Sequence, residues 1–158
     1  MEILERIKKV IDTFSNKGIS IAFTESCTGG YICHMFTNIS GASNVFERGI
    51  ICYSNQAKID LLNIDMKTIE QHGAVSELVA KELAFNVRIL SNVDIGIGIT
   101  GIAGPTGGTP EKPIGLVYIG YSTEQNTKVD KHQFNVDRLT FKKKVLEKIV
   151  IFLEKFNI

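Results

Sequence analysis

The sequence has little of several features that mark specialised proteins. It has no tryptophan, only three cysteines and three prolines among 158 residues, and no large excess of charge of either sign. The formal net charge of +1 excludes the basic surface that a dedicated binder of nucleic acid or of a membrane surface needs. No run of about 18 apolar residues is present to span a bilayer, so no membrane segment is expected.

The composition instead predicts a soluble globular protein with a single domain over residues 1–158. A hydrophobic content of 44% excludes intrinsic disorder, and the length is typical of one domain. Cys27, Cys33 and Cys52 are odd in number and include no CxxC pair, which is typical of free thiols in a reducing compartment. The segment 1–14 mixes charged and apolar residues, unlike a secretion signal, so we expect a cytoplasmic protein.

Capping residues and hydrophobic spacing predict helices and strands along the whole chain. Gly18 stands where a left-handed C-cap ends the first helix, and Ser54, Asp65, Ser76 and Asp137 are suitable N-caps. The predicted helices cover residues 3–17, 31–36, 54–62, 65–72, 76–90 and 137–156, and the predicted strands cover 19–24, 46–53, 93–100, 115–122 and 128–134. This order implies a three-layer α/β/α sandwich with a mixed, mainly parallel sheet, in which the last strand is an exposed edge.

The pattern of apolar residues also predicts which faces are buried. In the strand over residues 93–100, Gly96 and Gly98 alternate with isoleucine, and such glycines indicate that a helix or a ligand approaches closely. The predicted buried stripe of helix 76–90 is Leu78, Val79, Leu83, Val87 and Leu90. The predicted buried side of helix 54–62 is Ala57, Leu61 and Leu62.

The sequence ESCTGG lies at a predicted strand-to-helix turn and is the first candidate site. A serine there projects its hydroxyl away from the sheet, and the amides of Thr28, Gly29 and Gly30 are free donors at the helix start. Acyl transfer needs a nucleophile and donors aimed at a developing oxyanion, so Ser26 is a candidate nucleophile. The alternative is that Ser26 only caps the helix and that the glycines only allow close packing.

Neither histidine nor cysteine is well placed to act with this serine. His34, His72 and His132 suit surface or capping roles, and no paired histidine or HExxH spacing indicates a metal site. Cys27 stands beside Ser26, but we expect its side chain to point elsewhere and to be a small buried group.

Lysine is the better candidate for the base. The sequence CYSNQAK places Tyr53 at a strand end and Lys58 on the following helix, at the sheet edge that Ser26 shares if the two strands are parallel. The reaction then requires Lys58 to be neutral for part of the time, and Tyr53 can orient the amine or relay a proton. The alternatives are a solvated helix lysine and a tyrosine that anchors the strand end.

A glycine-rich loop, GIAGPTGGTPEKPIG, offers backbone amides to a phosphate or a ribose. Thr100 adds a hydroxyl at the end of the preceding strand. The loop is not a P-loop, because no GK[ST] follows, and a purely structural turn is the alternative. Arg138 at the start of the last helix can clamp a phosphate, although an ion pair with Asp137 is also open to it.

Taken together, the motifs resemble those of one known family. TESCTGG, GASNVF, CYSNQAK, GAVS and TGIAGPTGGTPEKPIG resemble the CinA C-terminal domain family, whose stand-alone members include nicotinamide mononucleotide amidases. The motifs occur in order along nearly the whole chain, and a weaker FNVDR continues them into the last helix. The family fold is likewise a three-layer α/β/α sandwich with a mixed sheet.

The resemblance implies hydrolysis of nicotinamide mononucleotide to nicotinic acid mononucleotide and ammonia, with no metal and no cofactor, by a protein that forms homo-oligomers. It implies that Ser26 is the nucleophile, Lys58 its base, Tyr53 a partner of that pair and Thr100 a helper at the reacting amide. The implied substrate-binding residues are Thr28, Gly29, Gly30, Gly101, Gly104 and Arg138, of which Arg138 meets the phosphate.

Three positions depart from the family pattern. Arg48 and Val136 stand where small residues are more usual, and Lys142 stands where a second arginine is common. We expect the bulk of Val136 to shift Arg138, and a lysine cannot reproduce the bidentate grip of arginine on phosphate. Two other functions therefore stay open, namely a catalytically silent nucleotide-binding or regulatory module and a serine amidase for another small amide.

Overall fold

The computed structural model describes residues 2–156, and its elements follow the predicted order closely. The helices are α1 (Ile3–Lys17), α2 (Tyr31–Thr37), α3 (Asn55–Leu62), α4 (Met66–His72), α5 (Glu77–Ser91) and α6 (Arg138–Lys155). The strands are β1 (Ile21–Glu25), β2 (Phe46–Ile51), β3 (Ile95–Gly101), β4 (Leu116–Ser122) and β5 (Thr127–Gln133), and a 3-10 turn covers Ala42–Asn44. No helix within the described range is both long and apolar enough to cross a membrane.

The helix ends lie where the capping residues predict them. Gly18 has a φ of +68°, the left-handed conformation of a C-cap. Ser54, Ser76 and Asp137 each accept a hydrogen bond from a backbone amide in the first turn of the helix that follows. These caps satisfy amide groups that have no partner inside the helix.

The five strands form one mixed sheet in the order β2-β1-β3-β4-β5. β2, β1 and β3 are parallel, whereas β4 is antiparallel to β3 and β5 is antiparallel to β4. Parallel and antiparallel pairs are therefore equal in number, but four of the five strands run in one direction because β4 alone is reversed. β5 is an edge strand, as predicted, and the carboxyl ends of β1, β2 and β3 meet at one edge of the sheet.

Helices cover both faces of the sheet, which confirms the three-layer sandwich. α1, α2 and α6 bury one face against Phe23, Ile97 and Ile119, and α5 with α3 covers the other face around Ala22 and Cys52. Large apolar side chains on the first face are thus matched by small ones on the second, where α5 lies close to the strands.

The close approach of α5 explains the glycines of β3. An added Cβ at Gly98 would lie 2.5 Å from the backbone nitrogen of Ala84. Val79, Leu83 and Val87 of the predicted stripe are buried, but Leu78 and Leu90 are exposed, so that part of the prediction is wrong. Ala80 and Ala84 take the buried positions instead, because only small residues let the helix backbone approach the glycines of the sheet.

Candidate active site

A cavity of about 260 Å³ opens at the edge where β1, β2 and β3 end. Its walls come from the turn after β1, the start of α3, the α4–α5 turn, the glycine-rich loop and the start of α6. The predicted site residues that it brings together are Ser26, Tyr53, Lys58, Thr100, Gly101, Gly104 and Arg138. Chain segments far apart in sequence thus meet in one place because parallel strands present their carboxyl ends at the same edge.

Ser26 and Lys58 form a buried pair in the wall of this cavity. The Nζ atom of Lys58 lies 3.0 Å from the Oγ atom of Ser26, which is hydrogen-bond distance. Ser26 is 8% exposed and Lys58 is 2% exposed. The solvated-lysine alternative is therefore wrong, and so is the prediction that Leu61 is buried, since Leu61 is half exposed while Lys58 takes the inward side of α3.

Backbone carbonyls, and no carboxylate, surround the amine of Lys58. Its Nζ lies 2.9 Å from the carbonyl oxygen of Cys52, 3.3 Å from that of Tyr53 and 3.5 Å from that of Ser54. No ion pair involves Lys58 within residues 2–156. Burial lowers the pKa of Lys58, and the nearby Cys52 and Cys27 offset this only in part. A buried amine without a counter-ion favours its neutral form, which is the form a base needs.

Local helix geometry delivers the lysine to this place. α3 begins after the N-cap Ser54, and Lys58 lies in its first turns. Helix side chains tilt toward the helix start, so the long lysine stem runs back to the strand end that precedes α3. The amine consequently contacts the carbonyls of residues 52–54 and the hydroxyl of Ser26, which follows the neighbouring strand β1.

Tyr53 contacts the pair through its backbone. Its carbonyl oxygen lies 3.5 Å from Ser26 Oγ and 3.3 Å from Lys58 Nζ. The residue is 63% exposed and lies at the rim of the cavity. The structure thus places Tyr53 beside the pair as predicted, with the carbonyl rather than the phenol in contact.

Glu25 is a residue of the site that the sequence interpretation missed. It is fully buried, and its carboxylate accepts hydrogen bonds from the amides of Gly30 at 3.0 Å, Ile32 at 3.2 Å and Cys33 at 2.7 Å. The carboxylate thereby provides acceptors for amides at the start of α2 that have no partner inside the helix. Its negative charge also interacts favourably with the positive end of the helix dipole. An acidic residue just ahead of a helix start was the signal that could have revealed it.

This arrangement corrects the prediction that the amides of Thr28, Gly29 and Gly30 are all free. Gly30 donates to Glu25, and the amide of Gly29 donates to the Ser26 carbonyl oxygen at 3.1 Å. Both glycines have positive φ, +60° and +96°, so they shape the turn through conformations that other residues rarely adopt. Within residues 2–156 the amides of Cys27 and Thr28 have no hydrogen-bond acceptor in the chain, so they are free donors of this turn.

The glycine-rich loop forms the opposite wall. Gly101 and Gly104 line the cavity together with Ala103, Thr106 and Gly107. The backbone N–H groups of Ala103, Gly104, Thr106, Gly107 and Gly108 have no acceptor within the described part of the chain. They remain available to an anionic or hydroxyl-rich ligand, as the sequence predicts.

Arg138 points its guanidinium at the same loop. Its Nε atom donates to the carbonyl oxygen of Gly104 at 2.8 Å, and no ion pair involves Arg138 in the described range. The predicted alternative, an ion pair with Asp137, is therefore wrong, because Asp137 caps α6 instead. The remaining N–H groups of Arg138 are free of carboxylate, as a phosphate-binding arginine requires.

None of the three departures from the family pattern lines the cavity. Val136 has no left-handed backbone that would call for glycine, and Arg138 is part of the cavity wall. Lys142 lies near the nucleophile turn, where a Cβ added at Gly29 would be 3.7 Å from its Nζ. Arg48 lies on the edge strand β2, 3.9 Å from Glu47, and does not line the cavity.

The histidines lie outside the cavity, as expected. His34 contacts Asn38 on α2, and His132 stacks on Phe134. Within residues 2–156, His, Cys, Asp and Glu side chains form no group of three that could hold a metal ion. Cys27 lines the cavity, but burial raises the pKa of its thiol to about 12, so it is a poor nucleophile.

Known proteins share both the sequence pattern and the fold. A family model of the CinA C-terminal domain matches residues 4–156. A competence-damage inducible protein of Thermoanaerobacter pseudethanolicus is 49% identical over 129 residues, which are 82% of this chain and 31% of that protein. The CinA-like protein of Kosmotoga olearia is 47% identical over 137 residues, 87% of this chain and 33% of that protein. The chain thus spans about a third of the length of these relatives.

Solved structures agree over almost the entire chain. The competence/damage inducible protein CihA from Agrobacterium tumefaciens superposes with a TM-score of 0.89 at 33% identity, covering 97% of this chain and 96% of that one. The competence damage-inducible protein A (ComA) from Klebsiella pneumoniae superposes with a TM-score of 0.93 at 26% identity, covering 98% and 97%.

Proposed function

The chain belongs to the CinA C-terminal domain family, and we propose that it is a metal-independent amidase that hydrolyses nicotinamide mononucleotide to nicotinic acid mononucleotide and ammonia in pyridine nucleotide recycling. One observation carries the proposal, namely the buried pair of Ser26 and Lys58 with 3.0 Å between Oγ and Nζ. A module that only binds nucleotide has no chemical need for a buried lysine without a counter-ion, which argues against a silent binding role.

In the first half of the reaction, Ser26 becomes acylated. Its Oγ attacks the carbonyl carbon of the carboxamide while its proton passes to the neutral Nζ of Lys58. The carbonyl oxygen becomes an oxyanion, for which the amides of Cys27 and Thr28, which have no acceptor in the described chain, are the donors we propose. Lys58 then returns the proton to the amide nitrogen, the C–N bond breaks, and ammonia leaves with the bonding pair.

In the second half, water releases the acid. Lys58 takes a proton from a water molecule that attacks the acyl carbon, and it passes that proton to Ser26 Oγ as the ester bond breaks. The sum is one carboxamide and one water converted to one carboxylic acid and one ammonia, with Ser26 and Lys58 restored. No metal or cofactor is needed for either half.

The far wall of the cavity suits a nucleotide monophosphate. Arg138 and the free loop amides supply charged and neutral donors for phosphate and ribose oxygens. The catalytic pair lies at the strand ends on the other side, so a ligand that reaches both places its reacting group and its phosphate at opposite walls. Free nicotinamide, which lacks the phosphoribosyl group, is therefore expected to be a much poorer substrate.

We also propose that the protein forms homo-oligomers, as the family resemblance implies. Supporting this, six large apolar side chains are exposed on α3, α4 and α5, namely Leu61, Met66, Leu78, Phe85, Ile89 and Leu90. Exposed apolar side chains of this kind are typical of contact surfaces. Sedimentation velocity tests this, and a monomer at every accessible concentration would contradict it.

The function is tested by measuring ammonia release from nicotinamide mononucleotide by wild type and Ser26→Ala. We expect turnover by wild type, none by the variant, and binding of the nucleotide by both. Free nicotinamide in parallel shows whether the phosphoribosyl group is recognised, and activity in a strong chelator tests metal independence. Turnover that persists in a folded Ser26→Ala variant removes Ser26 from the role of nucleophile, and a folded wild type without turnover contradicts the proposed hydrolysis of nicotinamide mononucleotide.

A further inference from the structure

Thr100 lies where the packing of α5 against β3 ends and the cavity begins. The residues of β3 that face α5 are Gly96, Gly98 and Thr100, and the two glycines leave room for the helix backbone. At the level of Thr100, the element that faces the strand is the α4–α5 turn and no longer α5. Ala74 of this turn lines the cavity together with Thr100. Thr100 is only 1% exposed, yet it forms part of the cavity wall.

The strand register sets Thr100 beside the nucleophile. β1 and β3 are parallel, and Glu25 of β1 pairs with Ile99 of β3. Continuing this pairing by one residue places Ser26 opposite Thr100, with both side chains on the same face of the sheet and the backbones about 4.8 Å apart. Ser26 and Thr100 both line the cavity, so a group bonded to Ser26 Oγ shares that cavity with Thr100.

The hydroxyl proton of Thr100 is already engaged in a hydrogen bond within the chain. Its Oγ1 donates to the carbonyl oxygen of Ala74 at 2.7 Å, and a carbonyl oxygen can only accept. A threonine hydroxyl has one proton and two lone pairs, so only lone pairs remain for a ligand. Thr100 can thus accept from an N–H group in the cavity, but it cannot donate to a carbonyl, carboxylate or phosphate oxygen.

We propose that Thr100 accepts a hydrogen bond from the amino group of the scissile carboxamide and so selects primary amides over esters and over the carboxylate product. This inference rests on the proposed amidase function. After attack by Ser26, the amine nitrogen carries two N–H groups and one lone pair. An N–H held by Thr100 leaves that lone pair to receive the proton that Lys58 returns, whereas a carboxylate offers Thr100 no donor at all.

The test compares two substrates that differ at the leaving group. We would measure kcat/KM for nicotinamide mononucleotide and for the methyl ester of nicotinic acid mononucleotide with wild type, Thr100→Val and Thr100→Ser. Valine keeps the shape and removes the lone pairs, so the amide-to-ester ratio is expected to fall by about tenfold, the size of one hydrogen bond. Serine keeps the hydroxyl, and its ratio is expected to stay within about threefold of wild type.

The ratio separates substrate recognition from scaffolding. If Thr100 only holds the α4–α5 turn through Ala74, Thr100→Val lowers both activities together and the ratio stays constant, which overturns the inference. Circular dichroism checks the fold, and Thr100→Ala takes the place of the valine variant if that variant is misfolded. If wild type hydrolyses the amide and these variants leave the ratio unchanged, only the role of Thr100 is refuted. If wild type hydrolyses neither compound, the proposed hydrolysis of nicotinamide mononucleotide is refuted.

Discussion

Replacing Lys58 by arginine tests the catalytic pair most directly. Lys58 is nearly fully buried, its Nζ lies 3.0 Å from Ser26 Oγ, and burial lowers its pKa. The ordinary pKa of arginine, about 12.5 or higher, lies at least about two units above that of lysine, about 10.4. The neutral fraction near pH 8 is therefore at least about 100-fold smaller for arginine, and we expect kcat/KM for the nucleotide to fall by at least that factor.

The pH dependence of kcat/KM for the wild type gives a second test of Lys58 as the base. The free amine is the active form, so kcat/KM rises with pH and levels off above the pKa of Lys58. An ordinary lysine is neutral in only about 1 of 2,500 molecules at pH 7 and titrates near pH 10.4. Because burial lowers the pKa of Lys58, we expect the midpoint of the rise to lie below pH 10.4.

The assay is ammonia release from pH 7.5 to pH 10.5, where the second ionisation of the substrate phosphate, near pH 6, is complete. Lys58→Met is the matched control, because it removes the base without adding a charge, and urea unfolding shows whether each variant is folded. Three results would refute the role of Lys58: a folded Lys58→Arg within about tenfold of wild type, a kcat/KM that falls as pH rises toward 9, or a midpoint at or above pH 10.4.

Three further predictions concern binding and stability. Arg138→Ala is expected to raise KM for the nucleotide by about tenfold and to change kcat little, because a phosphate contact stabilises ground and transition states alike; steady-state kinetics with free nicotinamide as control will show this. Glu25→Ala leaves three amides of α2 without an acceptor and should lower the free energy of unfolding by about 3 kcal/mol; a loss below about 1 kcal/mol in urea titration contradicts the cap. Gly98→Ala places a Cβ 2.5 Å from the amide nitrogen of Ala84 and should cost about 1–3 kcal/mol, seen as a lower Tm.

The proximity of Ser26 and Lys58 could be predicted because it follows from topology. Ser26 comes directly after β1 and Lys58 lies on the helix that follows β2, and parallel strands end at the same edge of a sheet. The chemical state of Lys58 could not be predicted in this way. Its burial depends on how α3 lies against β1 and β2, and apolar spacing assigned the inward side of that helix to Leu61 instead.

The free donors of the nucleophile turn also depended on tertiary packing. The sequence ESCTGG indicates a turn with several amides at a helix start, but it does not indicate where the Glu25 side chain lies. In the folded chain Glu25 turns inward and accepts a hydrogen bond from the amide of Gly30, whereas the amides of Cys27 and Thr28 have no acceptor within residues 2–156.

The sequence by itself determined the order and ends of the helices and strands, because caps such as Gly18 and Ser54 act on groups within a few residues of themselves. It also indicated that a helix or a ligand approaches β3 closely, because glycines at alternate positions leave one strand face empty, and the structure shows that this element is α5. The tertiary structure alone decided that Lys58 is buried without a carboxylate and that the proton of Thr100 is held by Ala74. Those properties depend on contacts between segments far apart in the chain, which no local pattern encodes.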